Sequence, residues 1–334
     1  MIKLSLLDLV PVVEGGTVSE ALSRAADLAV YAERLGYYRY WVAEHHGMAG
    51  IASAATSVVL AHAGGGTSSI RIGAGGIMLP NHAPLAIAEQ FGTLDALFPG
   101  RVDLGLGRAP GSDQRVAQAM RRDLMTGAEN FPRDIMELQS YFAGDGQTGF
   151  QATPGAGADP QLWILGSSLY GAQLAAAMGL PYAFASHFAP DMLDEALYIY
   201  RRDFRPSQHL RTPYAMAGFN VFAADSAQEA ELIATSMMQS FVALRTGTPG
   251  RLKPPVLNYR QSLPMQAQAM LAQVFQCTSI GSREDVERDL TAFVRRTGVD
   301  EVMVSGMIYD AEARKRSLEI AMEAASAINL PQPE

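Results

Sequence analysis

The sequence predicts a single α/β domain folded as a closed (β/α)8 barrel. Short apolar runs alternate with longer amphipathic segments about eight times along 334 residues. Alternation at this spacing builds a parallel sheet with crossover helices. Eight such units can close on themselves, and the chain exceeds the ~250 residues that such a barrel needs. The rival is a doubly wound open sheet, which the unit count disfavours. No linker or internal repeat divides the chain, so residues 1–334 are read as one domain.

The first apolar run is Ile2–Leu7. Val18–Gly36 follows with helical spacing, carried by Val18, Ala21, Leu22, Ala25, Leu28, Ala29, Ala32 and Leu35, and Gly36 caps its C-terminus. Strands are predicted at Tyr40–Ala43, Ile70–Leu79, Arg101–Gly105, Leu162–Leu165, Tyr182–Ala185, Tyr214–Phe222 and Glu301–Val304. Helices are predicted at Ala52–His62, Pro84–Leu97, Asp113–Met125, Asn130–Phe142, Tyr170–Met178, Pro190–Phe204, Ala227–Leu244, Arg283–Arg296 and Ala311–Ile328. Thr246–Gln276, with Pro249, Pro254, Pro255 and Pro264, is an insertion before the last βα unit. Such inserts either cover the active-site end of a barrel as a lid or form an irregular surface loop.

Net charge is −8, and the basic residues are scattered. Neither feature suits a nucleic-acid partner, which needs clustered cations. The single cysteine, Cys277, excludes an internal disulfide and a thiolate-rich metal site. No leader-like pattern and no apolar stretch of ~20 residues is found. The chain is therefore expected to work in the reducing cytoplasm, away from membranes.

Barrel chemistry sits where strands end. Asp8 after the first strand reads as a turn initiator or a substrate contact. Glu44, His45 and His46 follow the second; imidazole suits proton transfer near neutral pH. Adjacent histidines on a strand point apart, so His45–His46 is a poor pair for one metal, and a satisfied histidine cluster stays open. Gly73, Gly75 and Gly76 suit a bulge, a flat ligand lying on the backbone or a crowded interior. Gly105-Leu106-Gly107-Arg108 is not a dinucleotide fingerprint, but it sets Arg108 at a strand end. There a guanidinium can clamp phosphate. Gly166-Ser167-Ser168 runs into a helix start, which is an anion site or an ordinary serine cap. With Arg108 on the neighbouring strand, a phosphate cradle is the better reading.

These residues resemble the bacterial luciferase-like flavin monooxygenases. The matching stretches are Tyr40–His46, Arg71–Pro80, Leu94–Arg101, Gly105–Arg108, Ser168–Pro181 and Ile308–Asp310. They recur in order from about residue 2 to residue 325. The resemblance implies reduced FMN bound at the C-terminal end of the strands. It implies that His45 is the acid/base near flavin and substrate, with Glu44 orienting the imidazole. It implies a non-proline cis peptide at Gly75–Gly76 under the flavin ring, and a phosphate held by Arg108 and Ser168, with Ser167 and Gly171 as neighbours. No metal is implied. The expected reaction is oxygenation of a small organic substrate, such as an aldehyde, by reduced flavin and O2. A separate NAD(P)H:flavin reductase and a homodimer are also implied. Light-emitting members carry a reactive cysteine where this chain has Gly107, so light emission and long-chain aldehyde specificity are not implied. Asn81-His82-Ala83-Pro84 departs from the luciferase pattern, and no role is assigned to His82. The alternatives are deazaflavin- or flavin-dependent hydride transfer and a non-catalytic flavin-storage protein; a metal-dependent barrel hydrolase is disfavoured.

Overall fold

The computed structural model describes residues 2–109, 114–120, 124–146 and 149–328. The strands are β1 Lys3–Asp8, β2 Arg39–Val42, β3 Arg71–Met78, β4 Val102–Gly107, β5 Gln161–Gly166, β6 Tyr182–Phe184, β7 Ala215–Ala223, β8 Thr278–Gly281 and β9 Glu301–Ser305. The helices are α1 Val18–Leu35, α2 Thr56–Gly64, α3 Pro84–Leu97, α4 Gln114–Ala119, α5 Leu124–Ala143, α6 Leu169–Met178, α7 Leu193–Asp203, α8 Ala227–Arg245, α9 Tyr259–Ser262, α10 Met265–Val274, α11 Arg283–Thr297 and α12 Ala311–Ala327.

All strand pairings are parallel, and β1 to β7 with β9 close a TIM barrel. The predicted fold is therefore present, with one addition. Strand β8 lies outside the predicted set and pairs with the upper half of β7, in the register Asn220 to Thr278. Asn220 is in register with Ser305 of β9 as well, so β8 and β9 flank β7 on opposite edges. The nine residues of β7 outrun the three of β6, and β8 takes the free length of that edge.

The outward strand residues, among them Leu6, Val42, Ile72, Leu104, Ile164, Phe184 and Val304, form one apolar core with the helices. The inward residues form three levels. At the base Arg39 lies between Asp103 (2.8 Å) and Glu301 (2.9 Å), and Arg71 reaches Asp103 at 2.7 Å. Ser5 and Tyr214 donate to Glu301, and Trp41 Nε1 donates to Asp103 at 2.9 Å. Every charge in this floor has a partner, as burial demands. Above it, Leu7, Trp41, Trp163, Met216 and Met303 make an apolar middle, with Trp41 and Trp163 edge to face at 5.3 Å. The upper level, at the strand C-termini, is polar.

Several element boundaries differ from the sequence reading. Helix α2 begins at Thr56 rather than Ala52, because Ala52 N bonds Val10 O and the Ser53 hydroxyl bonds Ala43 O. Helix α5 begins at Leu124 and runs through Pro132, so the second of the two expected pieces starts before Asn130, while α4 stands where the first was expected. The predicted Asp113–Met125 helix reaches positions 113 and 121–123, outside the described residues, as do Pro110 and Gly111 of the glycine-rich run. Segment 246–276 contains α9 and α10. Leu252 bridges the loop after β1, with Glu14 N donating to Leu252 O and Leu252 N to Val12 O. Among the described residues, no helix is long and apolar enough to cross a membrane.

Candidate active site

The strand ends bring the candidate residues to one mouth. Glu44 is buried just beyond β2. One of its oxygens accepts from His46 Nε2 at 2.7 Å and from His82 Nε2 at 2.8 Å. The other accepts from Met78 N at 3.0 Å. Burial opposes the charge, but the bonds from His82, His46 and Met78 outweigh it and hold the carboxyl below its usual value.

This corrects one expected pairing. Glu44 was expected to orient His45; its hydrogen bonds go instead to His46, His82 and Met78. Residues 44–46 lie in the loop after β2, and that loop brings His46 rather than His45 onto the carboxylate. Sequence reasoning gave His82 no role, yet it completes the cluster. Glu44, His46 and His82 offer ligand atoms within 4.8 Å of one another. In the hydrogen-bonded arrangement both Nε2 atoms face the same carboxylate oxygen.

His45, in the loop after β2, lies near His187 of the loop after β6. Burial first, and then the neighbouring His45, push the His187 imidazole down to about 4. The loop is fastened to β7: the Ser186 hydroxyl donates to Gly218 O at 2.6 Å, and Asn220 Nδ2 donates to His187 O at 2.8 Å. A Cβ at Gly218 would collide with His187 Nδ1, so the glycine makes room for the imidazole. His187 and Asn220 were not singled out from the sequence. An asparagine within the apolar run Ala215–Ala223 is the signal that could have found the second.

Gly75 and Gly76 are joined by a cis peptide bond, and the β3–β4 register shifts between Ala74 and Ile77. Side chains are excluded beneath them: a Cβ on Gly76 would lie 2.7 Å from Gly105 O, and one on Gly75 2.8 Å from the Trp41 ring. Arg108, beyond β4, stacks on Tyr170 at 4.0 Å. Tyr170 belongs to the first turn of α6, which follows β5. Ser168 is the N-cap of that helix, but its side chain makes no capping bond. Ser167 and Ser168 are exposed, and Gly171 is buried in the same turn. Asp8 is a buried acceptor for Val10 N, Tyr40 and Arg314. It is a structural anchor for the loop, in line with the turn reading.

The family model described as luciferase-like monooxygenase matches residues 3–301. A protein of Escherichia coli (strain K12) named luciferase-like monooxygenase is 52% identical over 323 residues, 96% of each chain. The crystal structure of apo-MsnO8 superposes with a TM-score of 0.86 at 32% identity, covering 98% of this chain and 99% of that one. Two more distant structures share the fold alone. One is the oxygenating constituent of 3,6-diketocamphane monooxygenase in complex with FMN (TM-score 0.74, 18% identity, 99% and 100% covered). The other is an F420-dependent secondary alcohol dehydrogenase (0.68, 13%, 97% and 98%). By sequence and fold, the chain belongs to the luciferase-like monooxygenase family.

Proposed function

We propose that this chain is an FMN-dependent monooxygenase that uses reduced flavin and O2 to oxygenate a small organic substrate at the barrel mouth. The open first turn of α6 carries this reading. Thr17, Ser226, Ser282 and Asp310 cap their helices through their side chains, whereas Ser168 does not. Free N–H groups at the positive end of a helix favour an anion, and Arg108 stands on Tyr170 in that turn. This donor set fits a terminal phosphate. Arg108, Ser167, Ser168 and the backbone at Gly171 would hold it, and the backbone of Gly75–Gly76 would support the flavin ring.

Bound reduced flavin would supply the two electrons that activate O2. The protein's part is proton handling and exclusion of water. His187 stays neutral at pH 7, so His45 can carry a proton without a charged imidazole beside it. Glu44 locks His46 and His82, and with them the loops after β2 and β3. Segment 246–276 acts as the lid on the side of the β1 loop. Reduced flavin would come from a separate NAD(P)H:flavin reductase, and the chain would work as a homodimer.

Anaerobic titration with reduced FMN, followed by oxygen mixing under stopped-flow absorbance, tests this reading. Saturable binding is expected, with delayed return of the oxidised-flavin spectrum in the wild type and a changed delay in His45→Ala. Arg108→Ala should weaken binding. Tight binding with no delay would favour hydride transfer or storage, and absence of binding would overturn the proposal.

A further inference from the structure

The polar upper level of the barrel holds three buried atoms without a hydrogen-bond partner: Asn220 Oδ1, Ser305 Oγ and His187 Nδ1. Asn220 is fully buried and Ser305 is 2% exposed. Leaving such groups buried and unpaired is costly, and native structures rarely do so without cause. These atoms belong to one place. Asn220 and Ser305 are in register on neighbouring strands, and both follow inward positions, Met216 and Met303. His187 lies over Gly218, one inward step below Asn220. The amide of Asn220 is oriented by its donations to His187 O at 2.8 Å and Thr278 Oγ1 at 3.3 Å, which leaves Oδ1 as a pure acceptor.

We propose that Asn220, Ser305 and His187 form a substrate subsite beside His45, built for an uncharged group that both donates and accepts hydrogen bonds, as a secondary amide or a hydroxyl does. The inference rests on the barrel mouth being the substrate site. Asn220 Oδ1 requires an N–H or O–H from its occupant, and the Ser305 hydroxyl can donate in return. Strand neighbours lie ~4.8 Å apart, so one small group can reach both. None of the three side chains carries a charge: His187 is neutral at pH 7. A buried ionic group would lack the counter-charge it needs. A bare aldehyde or ketone carbonyl supplies no donor and leaves Asn220 unsatisfied, so the subsite selects against it.

The test uses N-methylacetamide and N,N-dimethylacetamide, two amides that differ in the single N–H. Each is titrated into the full-length chain while NMR follows the Asn220 side-chain amide and the His187 imidazole. The expected result is a preference for N-methylacetamide on the order of tenfold or more in the wild type. That preference should vanish in Asn220→Leu and shrink in Ser305→Ala, with circular dichroism confirming that both variants are folded. Equal binding of the two probes, a preference that survives Asn220→Leu, or no response at His187 from either probe would overturn the subsite. The last outcome would leave a pocket filled by water. The probes need no flavin. A failed preference with flavin chemistry intact would therefore sink this inference alone, whereas lost flavin binding with the preference intact would sink the monooxygenase reading.

Discussion

His82 Nε2 meets Glu44 Oε1 at 2.8 Å and so ties the turn after β3 to the end of β2, across 38 residues of sequence. His46 reaches the same oxygen, so one buried carboxylate holds two loops of the barrel mouth. Glu44→Leu removes the shared acceptor and leaves Met78 N–H, His46 and His82 without it. We expect a loss of about 3 kcal/mol, read as a lowered urea midpoint. Because the folded Glu44 carboxyl titrates below its usual value, its charge stabilises the fold at neutral pH. That contribution is lost as pH falls below ~4.3 toward the folded value. The stability gap between wild type and variant should narrow in that acid range.

His187 gives the opposite case, a base whose charged form the fold disfavours. Its pKa of about 4 lies below the usual ~6.5 of histidine, so between these values the unfolded chain binds more protons. The contribution of neutral His187 is complete above ~6.5 and declines as pH drops toward 4. An NMR titration should find this imidazole neutral at pH 6. In His187→Gln, the part of the acid destabilisation between those pH values should be missing. An ordinary titration near 6.5 would contradict the environment described.

The floor predicts an effect on stability alone. Among the described residues, Arg39→Met strips Glu301 of its guanidinium partner and Asp103 of one of two. Breaking a buried pair in this way costs about 3–5 kcal/mol. Thermal unfolding should show it, while reduced-flavin affinity of the folded fraction stays within about twofold, because the floor lies at the opposite end of the barrel from the mouth.

Gly105 marks the closest approach of β4 to β3. A Cβ there would collide with Ala74 O and come 2.5 Å from Leu165 Cδ1. Backbone cannot yield as a side-chain tip does, so Gly105→Ala should destabilise by about 1–3 kcal/mol. It should also weaken flavin binding, since Gly75 and Gly76 lie on the strand that must move. Calorimetric unfolding and flavin titration of the same preparation would check both.

Hydrogen exchange should separate an ordered lid from a loose loop. The amides of Glu14 and Leu252 are bonded across the insert boundary, and the Leu252 side chain is buried. Both amides should be protected by at least an order of magnitude over an open chain. Rapid exchange at both would mean that 246–276 is not held against the loop after β1.

The sequence by itself determined the barrel, because eight alternations of strand and helix period leave few ways to bury both faces of a parallel sheet. It also placed Glu44, His45, Gly75, Gly76, Arg108 and Ser168 at strand ends, the face of a barrel where chemistry is expected. Tertiary structure decided the partners. Glu44 holds His46 and His82 rather than His45, since the loops after β2 and β3 bring those two imidazoles onto the carboxylate. Strand β8 was illegible because its four residues, TSIG, carry no pattern of their own; only the free edge of β7 makes them a strand. Asn220, Ser305 and His187 share one level because register, a property of pairing between distant segments, sets which inward residues lie at the same height.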